Sequence, residues 1–350
     1  NDAVVFCDHT SCYKGKYRVL YSLAASQDQM DHSADKPDIS IHIGEITGDY
    51  PSVSMIGKVV WRVSEDGEIR DTFRKLRYVF AMDEKSFFQR YSNARRPKAD
   101  KYLNQCQSRL AEIRQIIPEL PFSNIWVAQQ TAHKIPEGAV IHLAILNSLR
   151  SWNFFELPHS VASMSNVGGF GIDGGLSSLL GASLANPGKL HFLIIGDLAF
   201  FYDMNALGNR HVGDNVRIMV INNGKGTEFR QYNHVVAHFG DDADDYISAA
   251  GHFGNKSQGL IKHYAQDLGF KYICASNEQE YEARYQEFLA GSVEAGPIVF
   301  EVFTDSEEES RALELIRNIK KDRTASAKKT ARRVLGDRSV NVMKKIIKGK

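Results

Sequence analysis

Asp197 and the turn Asn222-Asn223-Gly224 are the residues of this chain best suited to chemistry, and 24 residues separate Asp197 from Asn222. One carboxylate, one amide oxygen and a nearby turn carbonyl form an oxygen-rich set of low charge. Such a set suits Mg²⁺, which takes octahedral oxygen coordination and shares it with phosphates. The surrounding elements must bring these residues together. Leu190 to Ile195 is apolar apart from His191, as in a strand buried on both faces, and it stops at Gly196-Asp197. The stretch FFYDMNALGN predicts a helix ending near Gly208 or Asn209, and Val216 to Ile221 a second strand running into the asparagines. Strand, helix, strand in this order makes a right-handed βαβ unit, with both strand ends on one edge of a parallel sheet. Asp197 and Asn223 therefore converge at the carboxyl edge, where such sheets bind ligands. The plainer alternative is a strand-end Asp beside a turn-forming Asn pair.

Ser165 to Gly175 reads SNVGGFGIDGG, and Gly169 to Gly174 matches G-x-G-x-x-G with Asp197 downstream. That pattern permits a rival reading, a nicotinamide-dependent dehydrogenase with its pyrophosphate on a helix N-terminus. Two details oppose it. Asp197 follows Gly196 and opens a helix, so it sits in a turn rather than capping a ribose-binding strand. The Asn222-Asn223 pair has no part in a dinucleotide site.

The Gly-Asp and Asn-Asn pair at this spacing resembles the cofactor motif of thiamine diphosphate (ThDP) enzymes. The wording SNxGxxGIDG, GDLxFxYDxNAL and NNxxG resembles, more narrowly, the 2-succinyl-5-enolpyruvyl-6-hydroxy-3-cyclohexene-1-carboxylate synthase family of menaquinone synthesis. The likeness covers most of residues 1–305 and is densest between Asn147 and Glu228. It implies Mg²⁺ held by Asp197, the Asn223 side chain and the backbone carbonyl of Lys225. It also implies Ile172 as the bulky side chain that props the cofactor into a V, so that its amino group meets the reactive carbon. Ser165, Asn166, Gly168, Phe170, Gly171, Gly196, Leu198 and Ala199 would complete the cofactor contacts. Glu228 would be a catalytic candidate, and Ser148 would line the substrate pocket.

This sequence departs from the family pattern in three places. Val167 stands where the family has an arginine that meets substrate carboxylates, and Trp152 stands where a second arginine belongs. Replacing two carboxylate clamps by Val and Trp predicts a less anionic or different acceptor. Arg150 is near but on a different helical face. The third departure concerns the pyrimidine-binding domain, whose glutamate meets the aminopyrimidine. Residues 1–91 do not resemble it, so it is expected upstream in a longer protein or on a separate subunit; the resemblance also implies a homodimer or tetramer.

The 350 residues carry a net charge of +1. From Lys320 to Lys350 twelve Lys/Arg face two Asp, a net of +10, which leaves a mildly acidic body. The apolar runs are too short to span a bilayer, and four cysteines without metal-site spacing predict a reducing cytoplasm. Strands and helices alternate throughout. The predicted fold is therefore α/β, with two doubly wound parallel-sheet domains: a middle domain over 1–95 and a diphosphate-binding domain over 96–319. A basic tail, 320–350, follows. Tyr17 to Ala25 and Gly138 to Trp152 both suit helices, and Leu103, Cys106, Leu110, Ile113 and Ile117 mark an amphipathic one.

The remaining candidates have plain readings. Cys7-Asp-His-Thr-Ser-Cys12 is poorly spaced for a metal and reads as a turn. Asp241 to Asp245 reads as a solvated acidic turn, and Arg230, Gln231, Tyr232, His234 and His238 as a loop near the site. The tail has no aromatics for nucleic-acid stacking. The functional expectation is a Mg²⁺/ThDP enzyme that decarboxylates a 2-oxo acid. A different class, a non-catalytic subunit that keeps the fold as a scaffold, has no need for Asp197, Asn223 and Ile172 together.

Overall fold

The structure, a computed structural model, describes residues 2–11, 13–44, 48–92, 100–167, 169–247, 252, 256–290 and 296–320. The first part contains strands β1 (Val5–Phe6), β2 (Arg18–Val19), β3 (Ile39–His42), β4 (Val59–Val63) and β5 (Leu76–Phe80). β1 pairs with β2, and β3, β4 and β5 lie side by side, every pair parallel. Three helices accompany them: α1 (Ser22–Ala25), α2 (Tyr50–Val53) and α3 (Glu84–Ser92). The helix predicted over Tyr17 to Ala25 is instead β2 followed by the single turn of α1. The cause is tertiary, because β1 satisfies that backbone first, with Val5 N donating to Tyr17 O at 2.7 Å.

The second part is built on six parallel strands: β6 (Val140–Leu143), β7 (Ala162–Met164), β8 (His191–Gly196), β9 (Val216–Asn222), β10 (Lys271–Ala275) and β11 (Ile298–Phe303). Their order across the sheet is β10-β11-β9-β8-β6-β7. Around it lie α4 (Lys101–Gln115), α5 (Asn124–Thr131), α6 (Asn147–Trp152), α7 (Gly175–Ala185), α8 (Asp197–Asp203), α9 (Leu260–Asp267), α10 (Glu278–Leu289) and α11 (Ser306–Arg317). The single helix predicted over Gly138 to Trp152 is β6 followed by α6. All four residues of β6 are buried, and a strand covered on both faces shows no alternation to distinguish it from a buried helix. The α/β class with parallel sheets is as expected.

Alternate residues of the central strands feed two cores. Phe192, Ile194, Met219, Ile221 and Phe300 pack with α4, α5, α6, α10 and α11. Leu193, Ile195, Ile218, Val220 and Val299 pack with α7, α8 and α9. Phe192 to Ile195 are wholly buried, each side chain contributing roughly 1.5–3 kcal/mol. This burial anchors the strand that carries Asp197. The chain before Met30 shares the first core: Val19, Tyr21 and Leu23 lie in one cluster with Leu103, Leu110 and Trp152.

Candidate active site

β8 and β9 are neighbours with Gly196 level with Ile221, so Asp197 and the asparagine turn leave the sheet side by side. Strands so paired lie about 4.8 Å apart. Asp197 opens α8 and is buried, and its Oδ2 lies 2.7 Å from His252 Nε2. Phe201 packs on that imidazole with ring centroids 4.8 Å apart. Asn223 Oδ1 accepts from Lys225 N at 3.3 Å, and Gly224 takes a φ of +76°, which lets the turn reverse without a Cβ clash.

Asn222 is fixed from behind. Its Nδ2 donates to Glu301 Oε1 at 2.6 Å, while Tyr272 OH donates to Glu301 Oε2 at 2.8 Å. Burial raises the Glu301 carboxyl above its usual range, against these two hydrogen bonds. Glu301 thus braces the asparagine turn from the neighbouring strand. Only the inward-facing acid in PIVFEVF hinted at this in the sequence.

The glycine-rich loop after β7 borders the same edge. Asn166 Nδ2 donates to Gly174 O and Ser178 Oγ at 3.0 and 2.9 Å, tying the loop to the start of α7. Phe170 is held at φ +53°, an uncommon conformation for a side chain larger than glycine. Ile172 is half-buried and packs against the core beneath α7 and α8. Gly171, Leu198 and Lys225 are half-buried, Ala199 is buried, and Gly168 lies outside the described residues.

These residues fit the diphosphate cofactor and metal that the motif implies. Among the described residues, neither the buried Ser165 hydroxyl nor Nδ1 of His252 has a hydrogen-bond partner. A Cβ on Gly169 or Gly196 would meet nothing within 4 Å, so ligand atoms have room beside both backbones. The donors are oxygens, as a hard cation requires. Among the described residues no cluster of three His, Cys, Asp or Glu side chains forms a rival metal site.

The other predicted residues divide. Ser148 and Trp152 are buried in α6, and Trp152 Nε1 donates to Asn124 Oδ1 at 3.2 Å within the core. Val167 is half-buried and packs on the same core. Glu228 accepts from Arg150 Nη1 at 2.6 and 2.5 Å, and Arg150 lies 5.2 Å from the Tyr50 ring centroid. Asn147 is hydrogen-bonded to Thr227 Oγ1 and the Gln231 amide at 2.7 Å each. Arg150, Glu228 and Asn147 line a cavity of about 370 Å³, with Asp49, Glu309 and Arg317. Burial pushes Asp49 up to about 6 and Glu309 up to about 7.

Two plain readings hold. Burial pushes the Cys7 thiol up to about 11 and the His9 imidazole down to about 4, and His9 Nε2 lies 2.9 Å from Phe155 O. Neither group is poised for a metal, and Cys12 lies outside the described residues. In the acidic turn, Asp244 is ion-paired with Arg230, and both Asp241 and Asp244 lie 3.8 Å from Lys225 Nζ.

No family model matches the chain. Among curated proteins it is similar to the 2-succinyl-5-enolpyruvyl-6-hydroxy-3-cyclohexene-1-carboxylate synthase of Bacteroides fragilis. The two are 31% identical over 254 residues, which cover 72% of this chain and 44% of that protein. The chain is a relative of these synthases. The Phocaeicola vulgatus synthase is 33% identical over 253 residues, covering 72% of this chain and 43% of the synthase. The Bacteroides thetaiotaomicron synthase is 30% identical over 253 residues, with 72% and 44% covered. The chain therefore spans less than half the length of the synthases it matches. No described helix is long and apolar enough to cross a membrane.

Proposed function

We propose that this chain is the Mg²⁺- and ThDP-binding part of a synthase-like enzyme that decarboxylates a 2-oxo acid with carbon–carbon bond formation or cleavage. The observation that carries the reading is the juxtaposition of buried Asp197 with the Asn223 turn on adjacent strand ends. Asp197, the Asn223 side chain and the Lys225 carbonyl would hold Mg²⁺. Bound ThDP would supply a carbon nucleophile for the oxo carbon and then an electron sink for the pair left behind when CO2 departs. Ile172, backed by the core, would press against the cofactor and fix its bent shape. Ser165 would donate its unpartnered hydroxyl, and Gly169 and Gly196 would admit ligand atoms to the backbone. Glu301 would keep Asn222, and with it Asn223, in register.

The acceptor side differs from the family pattern. Val167 and Trp152 replace two arginines there, so turnover of 2-oxoglutarate with isochorismate is expected to be slight. The carboxylate that activates the aminopyrimidine is expected from a further domain or subunit, in a cytoplasmic homo-oligomer. Proton exchange at the cofactor's reactive carbon, followed by NMR with Mg²⁺, tests the division of labour. Residues 1–350 alone should exchange it no faster than free ThDP, and adding a pyrimidine-binding domain or subunit should accelerate it. Acceleration by this chain alone would place the activating acid within it, with Glu228 the first residue to examine.

A further inference from the structure

We propose that the basic C-terminal segment of this same chain, residues 321–350, docks in an acidic groove formed by the end of α4, α5 and α10. The groove is open and holds about 650 Å³. Ile117, Leu120 and Trp126 lie along its floor, and Glu119, Glu278 and Glu282 stand at its rim. Among the described residues, no basic side chain lines it. All three glutamates are exposed, and Glu278 and Glu282 stand one turn apart on α10, so like charges gather at this rim.

Three observations select the occupant. The first is charge, since the chain from Lys320 to Lys350 carries a net +10 and the body before it is acidic. The second is position. Lys320 Nζ is ion-paired with Glu112 of α4, and Lys320 N donates to Gln27 Oε1 at 3.1 Å. Glu112 lies just upstream of Ile117, where the groove begins, so the chain leaves the described residues beside it. A random-coil chain as long as the stretch from Lys320 to Val342 spans on the order of 25 Å, and tethers of that reach hold a segment at roughly millimolar effective concentration.

The third is pattern. Val342, Met343, Ile346 and Ile347 recur at helical spacing, interleaved with Lys344, Lys345 and Lys348. An apolar stripe between lysines matches an apolar floor between glutamates. α10 packs on the core opposite α7, α8 and α9. The docked segment would therefore sit on the far side of the sheet from Asp197 and leave cofactor binding unchanged.

Zero-length carbodiimide cross-linking of the full chain tests this. Lys344 and Lys345 should couple to Glu278, Glu282 or Glu119. In an equimolar mixture of ¹⁴N and ¹⁵N chains the couples should join peptides of one isotope only. K344E/K345E and E278K/E282K should each reduce the yield at least tenfold, and the four changes combined should restore it. The altered positions in the groove are exposed, so the fold tolerates them. Couples insensitive to either reversal, couples joining different isotopes, or a tail that couples elsewhere and is captured by a single-stranded oligonucleotide would each overturn the proposal.

Discussion

Two loop clusters leave the six-stranded sheet, and they handle their polar groups in opposite ways. Beside β8 and β9, Asp197 meets one histidine, while Ser165 Oγ and His252 Nδ1 are buried without partners. Beyond α6, Arg150 takes both oxygens of Glu228, and Asn147 is held by Thr227 and Gln231. An unpartnered buried polar group costs about 1–3 kcal/mol. Among the described residues, the first cluster keeps two such groups, whereas Arg150, Glu228 and Asn147 of the second all have partners. The sequences of the two clusters differ as well: Asp197 and Asn223 keep the motif in one, and in α6 Trp152 stands where the resembling family has an arginine.

The comparison can be broken most forcefully at Trp152. If α6 turns this residue into the core, Trp152→Ala should cost about 3–5 kcal/mol of stability, as large-to-small core changes do. Urea denaturation measures it. A loss under 1 kcal/mol would return Trp152 to the substrate pocket that the motif suggested. At the open end, Asp197→Ala should lower ThDP affinity with Mg²⁺ at least about a hundredfold, near 3 kcal/mol, with the circular dichroism unchanged. Equal affinity by calorimetry would remove Asp197 from the metal site.

Glu309 sharpens the contrast through pH. It lines the cavity beside α6, where its Oε1 accepts from Asn124 N and Thr304 Oγ1 at 2.9 and 2.8 Å. Its folded pKa, about 7 against an ordinary 4.5, means that the folded state binds the proton more tightly. The stabilisation is full below about 4.5 and is lost as pH rises through about 7, amounting to up to roughly 3 kcal/mol. Glu309→Gln keeps an acceptor for both donors and should lose this slope. Denaturation midpoints of the two proteins between pH 4 and 8 would show it. Parallel profiles would mean that Glu309 ionises freely.

The nearness of Asp197 to the asparagine turn was legible in the sequence because neighbours along the chain are neighbours in the sheet. β8, α8 and β9 follow one another, so two apolar runs and two turns sufficed to bring Asp197 and Asn223 together. The acceptor end was not legible, since it depends on contacts between distant segments. Arg150 meets Glu228 and Tyr50 from other loops, and Glu309 arrives from α11. His252 reaches Asp197 by the same kind of long-range closure. β6 was misread because burial on both faces erases periodicity. Tyr17 to Ala25 was misread because β1, not local propensity, decides its first residues.

The smallest expected effect lies in the Arg150–Glu228 pair, and it bears most directly on what the closed end does. The side chains are 20% and 23% exposed, so solvent screens much of their attraction. Glu228→Gln keeps an oxygen for the guanidinium and should change stability by no more than about 1 kcal/mol. Its effect on ligand binding should be larger than its effect on stability. Arg150 is the cavity-lining cation nearest the α6 positions where the family pattern places its clamp, and Glu228 occupies it. An arriving carboxylate must displace Glu228, and removing that competitor should strengthen binding of succinate, used as a probe, several-fold. Arg150→Gln should abolish the gain in the same background. If succinate binds both proteins alike, the pair is a structural fastening, and the acceptor is not recognised by charge at this helix.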